Sequence, residues 1–399
     1  MTQTMLSLSR DGLAAFDEVA ASHVSDERLP GLVALVACAD QVHVRTVGSL
    51  SVGGPPVRRD SLFRIASTTK PVIGAATLAL VQEGLLGLDE PVDRLLPELA
   101  NRRVLRRLDG PITDTVPARR AITVRDLLTF TNGFGMDVGM VAAAEPWPVL
   151  TAVNQLPMPL FGPPQPAEQP DPDTWINALG SLPLLAQPGQ RWFYNTGAQV
   201  LGVLLARAAG TSLNEVLTTR LFAPLGMSDT GFWTADTERL ATAYAANGDG
   251  LDVWDTPGGQ WSSPPAFEDG AAGLVSTVDD LLTFARMLLR GGEPVLSQQA
   301  VRQMTRDQLT AEQKAHASPE ILDVSHRTWG FAQSVITEGQ RAGAFGWDGG
   351  LGTSWLVDPA RELTVIVLTQ RLFETPQPPQ VHTDLQAAAY AAVRVEASE

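Results

Sequence analysis

Short apolar segments typical of β-strands stand at both ends of this 399-residue chain, on either side of a middle part with helical periodicity. The strand candidates cover residues 32–37, 42–47, 342–347, 353–357 and 363–369. A helical pattern from Leu13 to Ala20 precedes the first group, and one from about 381 to 395 follows the last. Because each group has too few strands to bury its own apolar faces, we predict that they pair. The prediction is an α/β fold of the α+β type, with an antiparallel sheet built from both chain ends and flanked by terminal helices.

The middle of the chain predicts a large inserted lobe that is mostly helical. Apolar residues recur at helical spacing in five segments, which are 71–86, 124–130, 198–209, 213–221 and 278–289. We therefore predict a sheet domain of residues 1–75 and 271–399, an inserted helical domain of residues 76–270, and an active site at their interface. Residues 145–190 are rich in proline and predict a surface connection, with a lid over the active site as the alternative.

Charge, cysteine content and hydropathy limit the binding partners, the metal sites and the cellular location that this chain can be expected to have. The formal net charge of −15 argues against nucleic acid or an anionic membrane as a partner and favours small neutral or cationic substrates. The single cysteine, Cys38, lies in an apolar run, which excludes an internal disulfide and a cysteine-rich metal site and predicts a buried core residue. No stretch has the length of a membrane span, and the first residues lack the basic start of a secretion signal. We expect a cytoplasmic protein.

The segment Phe63-Arg-Ile-Ala-Ser67-Thr-Thr-Lys70 carries the clearest chemical signal. A serine three residues before a lysine, at the start of a helix, puts both side chains on one face, so that the amine can take the hydroxyl proton. The chain has only two lysines, Lys70 and Lys314, and otherwise uses arginine. Lysine is needed where a side chain must lose its proton, which arginine cannot do. The alternative interpretation is a capping serine beside a lysine that extends to solvent.

Other hydrolytic and nucleotide-binding motifs are missing from the sequence. There is no Gly-x-Ser-x-Gly, no His-Glu-x-x-His and no glycine-rich phosphate loop. The histidines share no motif, and we interpret each as structural: they are His23, His43, His316, His326 and His382. Metal and cofactor chemistry is not indicated.

Six segments, in this order, closely resemble the serine β-lactamase-like superfamily of class C β-lactamases and penicillin-binding proteins. They are residues 63–70, 121–129, 188–194, 225–231, 272–277 and 345–350. Within that superfamily the chain looks most similar to the family VIII carboxylesterases. The resemblance implies that Tyr194 is the second-motif tyrosine, which shares the proton with Lys70 as general base and acid. A shifted alignment, with Asn195 at the family's asparagine, would put Phe193 at the tyrosine position instead.

The resemblance also implies an oxyanion hole made of the backbone N–H groups of Ser67 and Gly350. The third motif is Trp347-Asp348-Gly349, where β-lactamases usually carry Lys-Thr-Gly. Loss of that lysine makes an anionic antibiotic a poor substrate, and these three residues are expected to bind substrate. An Asp348 side chain that points into the cleft would favour an ester with a polar or cationic group, and an outward, solvated side chain is the alternative.

Two further positions belong to this comparison. Thr196, at the asparagine-like position of the second motif, is a further candidate for substrate contact. Phe130 stands where relatives often carry histidine, which changes local hydrogen bonding and leaves the catalytic set intact.

The sequence thus predicts a serine hydrolase that cleaves carboxylic esters of small alcohols through a Ser67 acyl-enzyme, without a metal or cofactor. An acyltransferase of the same fold, a β-lactamase or D-amino-acid peptidase, and a non-catalytic binding relative are the alternatives. The partner is a small-molecule ester, with no nucleic acid and no membrane, and the oligomeric state stays open.

Overall fold

A seven-stranded antiparallel sheet organises the molecule, in a computed structural model that describes residues 5–248 and 250–396. The strands are β1 (Met5–Leu8), β2 (Gly31–Cys38), β3 (Gln41–Gly48), β4 (Phe63–Arg64), β5 (Arg103–Leu105), β6 (Thr115–Pro117), β7 (Ala243–Asn247), β8 (Gly250–Asp255), β9 (Val275–Ser276), β10 (Arg327–Trp329), β11 (Ser334–Ile336), β12 (Phe345–Gly349), β13 (Thr353–Asp358), β14 (Leu363–Thr369) and β15 (Val393–Glu396). The large sheet has the order β10-β11-β12-β13-β14-β2-β3.

The helices lie mostly between β3 and β10 in the chain. They are α1 (Arg10–Ser22), α2 (Thr69–Gln82), α3 (Val124–Leu128), α4 (Val138–Ala142), α5 (Pro148–Val153), α6 (Pro172–Ser181), α7 (Thr196–Ala209), α8 (Leu213–Leu217), α9 (Ala223–Leu225), α10 (Val278–Leu289), α11 (Gln298–Met304), α12 (Ala311–Ala315) and α13 (Gln380–Ala392). Among the described residues no single helix is long and apolar enough to cross a membrane, and only α7 with the segment Leu213–Leu225, bent by 78°, reaches that length as a pair.

Both faces of the large sheet are covered, which explains the uninterrupted apolar sequence of β2. Val33 and Leu35 face the helical middle of the chain, where they join the core that includes α2 and α10. Leu32 and Val36 face the other way, toward Phe16 of α1 and the helix α13. Burial of each such side chain contributes about 1.5–3 kcal/mol relative to exposure. Cys38 is buried on the same outer face, as predicted.

The predicted fold class is confirmed, because the two chain ends meet in one sheet. Strand β14 pairs with β2 from Leu363 opposite Cys38 to Thr369 opposite Leu32. The predicted strands 32–37, 42–47, 353–357 and 363–369 lie within β2, β3, β13 and β14. The division into two domains stays a prediction.

Three elements differ from the predictions. The strand expected at 342–347 is β12 and begins at Phe345, because residues 339–341 form a 3-10 turn. The closing helix ends at Ala392 rather than 395, and β15 pairs with β1 because extended backbone there satisfies the hydrogen bonds of both chain ends. The short strands β10 and β11 extend the sheet beyond the predicted strands.

Candidate active site

Ser67 lies at a sharp turn between a strand and a helix. It occupies the 3-10 turn Ala66–Thr68, which connects β4 to α2. The preceding residue, Ala66, has φ of 43°, a left-handed conformation that costs free energy for a residue with a side chain. This turn places the Ser67 hydroxyl in the wall of a cleft, at the N-terminal end of α2.

Lys70 stands in the first turn of α2, directly beside Ser67. Its Nζ donates a hydrogen bond to Ser67 Oγ at 2.8 Å and another to the carbonyl oxygen of Ala271 at 2.9 Å. The side chain is fully buried. Burial lowers the pKa of Lys70 to about 7, although the Asp269 carboxylate acts to raise it. A substantial fraction of Lys70 is therefore neutral near pH 7, the form that can accept the Ser67 proton.

Asp269 is a buried acidic residue close to Lys70. Its Oδ1 accepts a hydrogen bond from the Ala271 N–H at 2.7 Å, and Gln199 of α7 also hydrogen bonds to it. Burial raises the pKa of Asp269 above the ordinary value, while these hydrogen bonds and Lys70 oppose the shift. Asp269 and Gln199 line the same cleft as Ser67. Sequence reasoning missed both, since an Asp-Gly pair predicts a turn and Gln199 shares no motif with Ser67.

Tyr194 is held against Ser67 and Lys70 just before α7. Its backbone bonds to Met136 in both directions, which fixes the chain where it enters the helix. The Lys70 Nζ lies 4.6 Å from the centre of the Tyr194 ring. Burial raises the pKa of Tyr194 to about 12, and the interactions with Ser67 and Trp347 offset only part of this effect. Tyr194 is therefore a neutral phenol near pH 7, with a proton to donate.

Trp347 of β12 orients the Tyr194 hydroxyl. The indole Nε1 donates a hydrogen bond to Tyr194 Oη at 2.7 Å. Because the phenol oxygen accepts this bond, its own proton is free to point toward Ser67 or the substrate. Trp329 packs edge-on against Trp347, with 4.8 Å between ring centres, and Phe130 packs on Trp329. The expected histidine position is thus filled by a ring in an aromatic wall.

The two glycines after Asp348 have different surroundings. A Cβ atom on Gly349 would collide with the Ile65 carbonyl oxygen and the Thr353 hydroxyl, so this glycine permits β12 to lie against the Ser67 turn. A Cβ atom on Gly350 would meet no other atom, and Gly350 lines the cleft. Substrate contact is therefore open to Gly350, whereas Gly349 serves close packing of the backbone.

Asp348 faces the buried histidine of α13. The Oδ1 atom lies 3.6 Å from His382 Nδ1, and His382 Nε2 lies 3.3 Å from the carbonyl oxygen of Gly352. Burial acts to raise the pKa of Asp348, but His382, Ser354 and Arg327 together hold that pKa below the ordinary value. The Asp348 carboxylate thus has a histidine as neighbour within the protein and also lines the cleft.

The predicted site residues come together, except for Thr196 and Gly349, which are not among the residues that line the cleft. Ser67, Tyr194, Trp347, Asp348 and Gly350 line one cleft of about 280 Å³, and Lys70 lies directly behind Ser67. Thr196 is fully buried in the first turn of α7 and lies outside the cleft wall, where Asn195 and Gln199 stand instead.

Phe193 and the proline-rich connection are placed differently with respect to the cleft. Phe193, the alternative to Tyr194, is fully buried and is absent from the cleft wall. Part of the proline-rich connection, residues 159–164, lines the cleft. Within residues 5–248 and 250–396 no group of three His, Cys, Asp or Glu residues could hold a metal ion.

The chain is similar to known esterases over most of its length. It matches the Beta-lactamase family over residues 16–390. It is 32% identical to esterase EstB from Burkholderia gladioli over 93% of this chain and 94% of EstB, and 38% identical to Protein Rv1367c from Mycobacterium tuberculosis over 86% of both chains. The solved structure of EstCE1, a hydrolase with promiscuous acyltransferase activity, superimposes with a TM-score of 0.79 at 25% identity, covering 95% of this chain and 99% of EstCE1.

Proposed function

The chain belongs to the Beta-lactamase family, which includes esterases and acyltransferases, and within it we propose a carboxylesterase that uses Ser67 as nucleophile. The observation that carries the proposal is the hydrogen bond of 2.8 Å between Ser67 and a buried Lys70 whose pKa is lowered to about 7. A serine hydroxyl needs a base at this distance to become a nucleophile near neutral pH. The substrates are small carboxylic esters.

Acylation begins with proton transfer from Ser67 to Lys70. As the serine oxygen bonds to the ester carbonyl carbon, the neutral amine of Lys70 takes the hydroxyl proton. Negative charge then collects on the carbonyl oxygen. The N–H groups of Ser67 and Gly350 are the proposed donors to this oxyanion, and removing one such donor typically costs about 10²–10³ in rate.

Tyr194 protonates the leaving alcohol. Its hydroxyl keeps its proton near pH 7 and accepts the Trp347 indole bond, so the proton can be given to the departing oxygen. Lys70 then returns its proton to the Tyr194 phenolate, which restores both groups. In deacylation, water attacks the acyl-enzyme as Lys70 accepts a proton, and Ser67 regains its hydrogen as the free acid leaves.

The test is hydrolysis of p-nitrophenyl acetate and p-nitrophenyl butyrate by wild type and by Ser67→Ala, with mass spectrometry of the acyl adduct. We expect turnover and a single acyl adduct on Ser67 in wild type, and neither in the variant. The matched control is Ser181→Ala, a solvent-exposed serine of α6, which should behave as wild type. Equal release by wild type and Ser67→Ala would refute the proposal.

Acyl transfer is a second candidate function, favoured by the similarity to EstCE1, a hydrolase with promiscuous acyltransferase activity. The same acyl-enzyme would pass its acyl group to an alcohol instead of water. Adding a short alcohol to the p-nitrophenyl butyrate assay separates the two reactions, because transfer yields the new ester and hydrolysis yields butyrate. Nitrocefin in the same assay tests β-lactam cleavage, which we expect to be absent because Trp347 replaces the third-motif lysine.

A further inference from the structure

An arginine lines the proposed active-site cleft away from Ser67. Arg327, in edge strand β10, is half-buried and forms part of the cleft wall. Trp329 lies two residues further along the same strand, so the two side chains project from the same face. Trp329 packs against Trp347, which bonds to Tyr194. Arg327 therefore lies two residues along β10 from the aromatic side chains that hold Tyr194.

The Arg327 guanidinium has no partner within the described part of the chain. Neither an ion pair within 4.0 Å nor a side-chain hydrogen bond involves it there, and its Nε atom is enclosed without a hydrogen-bond partner. Arg64, which is buried, bonds to Asp255, and the half-buried Arg207 bonds to Glu98 through two nitrogens. A guanidinium group that lines a cleft without an ion-pair partner can donate two parallel hydrogen bonds to a carboxylate.

Two carboxylates, those of Asp348 and Asp323, interact electrostatically with Arg327, and each has a histidine nearby. Asp348 lies opposite His382, and the exposed Asp323 lies 3.2 Å from His326. His382 Nε2 lies 3.3 Å from the carbonyl oxygen of Gly352, and its Nδ1 lies 3.6 Å from Asp348 Oδ1. Arg327 therefore acts on both carboxylates without contacting either within 4.0 Å, and it is the arginine among the residues that line the cleft.

We propose that Arg327 binds a carboxylate on the substrate, so that the preferred substrates are esters bearing a free carboxylate. This inference rests on the proposed esterase function. The rest of the cleft accommodates a hydrocarbon part, since Phe161, Ile321 and Phe373 are among its lining residues. Arg327 lies on β10, whereas the third motif lies on β12, so this positive charge does not occupy the place of the third-motif lysine.

The first test compares mono-p-nitrophenyl glutarate with p-nitrophenyl pentanoate, which share their leaving group and acyl-chain length. We expect wild type to have the higher kcat/KM for the glutarate. In Arg327→Gln the ratio of the two kcat/KM values should fall roughly 10- to 100-fold, because a charged hydrogen-bonded pair is lost. Arg327→Lys should retain part of the ratio. Arg290→Gln, an exposed arginine at the end of α10, is the control and should keep the wild-type ratio.

A binding measurement separates this inference from the esterase proposal. Monomethyl glutarate and methyl pentanoate are titrated into Ser67→Ala and into Ser67→Ala with Arg327→Gln, following tryptophan fluorescence. Tighter binding of the glutarate that disappears with Arg327 supports the inference even if wild type hydrolyses no ester. Equal binding by the two proteins, or an unchanged kcat/KM ratio in Arg327→Gln, overturns it, while hydrolysis that depends on Ser67 leaves the esterase proposal standing.

Discussion

Lys70 gives the active site its expected pH dependence. Burial lowers its pKa to about 7, so the amine is protonated below that pH and cannot take the Ser67 proton. We expect kcat/KM for p-nitrophenyl butyrate to be half-maximal near pH 7 and to fall about tenfold per unit below it. Lys70→Arg keeps a permanent charge and should lose about 10²–10⁴ in rate at every pH. A profile unchanged down to pH 5 would exclude Lys70 as the base.

Tyr194 should matter most for substrates whose leaving group needs a proton. Tyr194→Phe removes the donor and should lower kcat for ethyl butyrate by about 10²–10³, with a smaller loss for p-nitrophenyl butyrate, whose leaving group departs as an anion. The readout is the kcat ratio of the two esters. Tyr390→Phe, on the helix α13, serves as the matched control. Equal losses on both esters would assign Tyr194 a positioning role instead.

The active-site residues that the sequence could identify are those close together in the chain. Ser67 and Lys70 are one helical turn apart, so their contact follows from the sequence alone. Asp269, His382 and Arg327 reach the site from distant segments, and only tertiary packing brings them there. The neighbour of Asp348, His382, stands 34 positions later in the chain, where no local pattern links the two residues.

Among the elements, β12 must lie close against the Ser67 turn. Gly349→Ala would push its methyl group into the Ile65 carbonyl oxygen, so we expect a loss of about 1–3 kcal/mol in the free energy of unfolding and a lower kcat. Gly350→Ala is the matched control for stability, since its methyl group would meet open space. Thermal and urea unfolding measure the difference. Equal stability of the two variants would show that β12 can move away without cost.

Elements with strong periodicity were predictable, and very short ones were not. Strands β2, β13 and β14 carry long apolar runs, and their predicted positions agree with the structure. Strands β10 and β11 have three residues each, too few to show an alternating pattern, and they exist because β12 offers an edge to pair with. Residues 393–395 continue a helical pattern, but pairing with β1 overrides it.

On the scale of the whole molecule, the large sheet lies between the cleft and the helix α1 of the outer layer, whereas α13 of that layer reaches Asp348 through His382. Ser67 and Lys70 belong to the side covered by α2 and α10, whereas α1 packs on the opposite face. The meeting of both chain ends in this sheet was predictable because each end carries strands that lack partners of their own. Stability and catalysis should therefore be separable by mutation of the outer layer.

Phe16 of α1 offers that separation. It is fully buried among Leu32, Val36 and other residues of the outer face. Phe16→Ala should lower the free energy of unfolding by about 3–5 kcal/mol, and Phe16→Leu by less, because a smaller cavity remains. Well below the melting temperature, kcat/KM per folded molecule should equal that of wild type for both variants. The sheet lies between Phe16 and Ser67. A fall in kcat/KM that parallels the loss of stability would therefore contradict the prediction and show that packing on the outer face affects the active site.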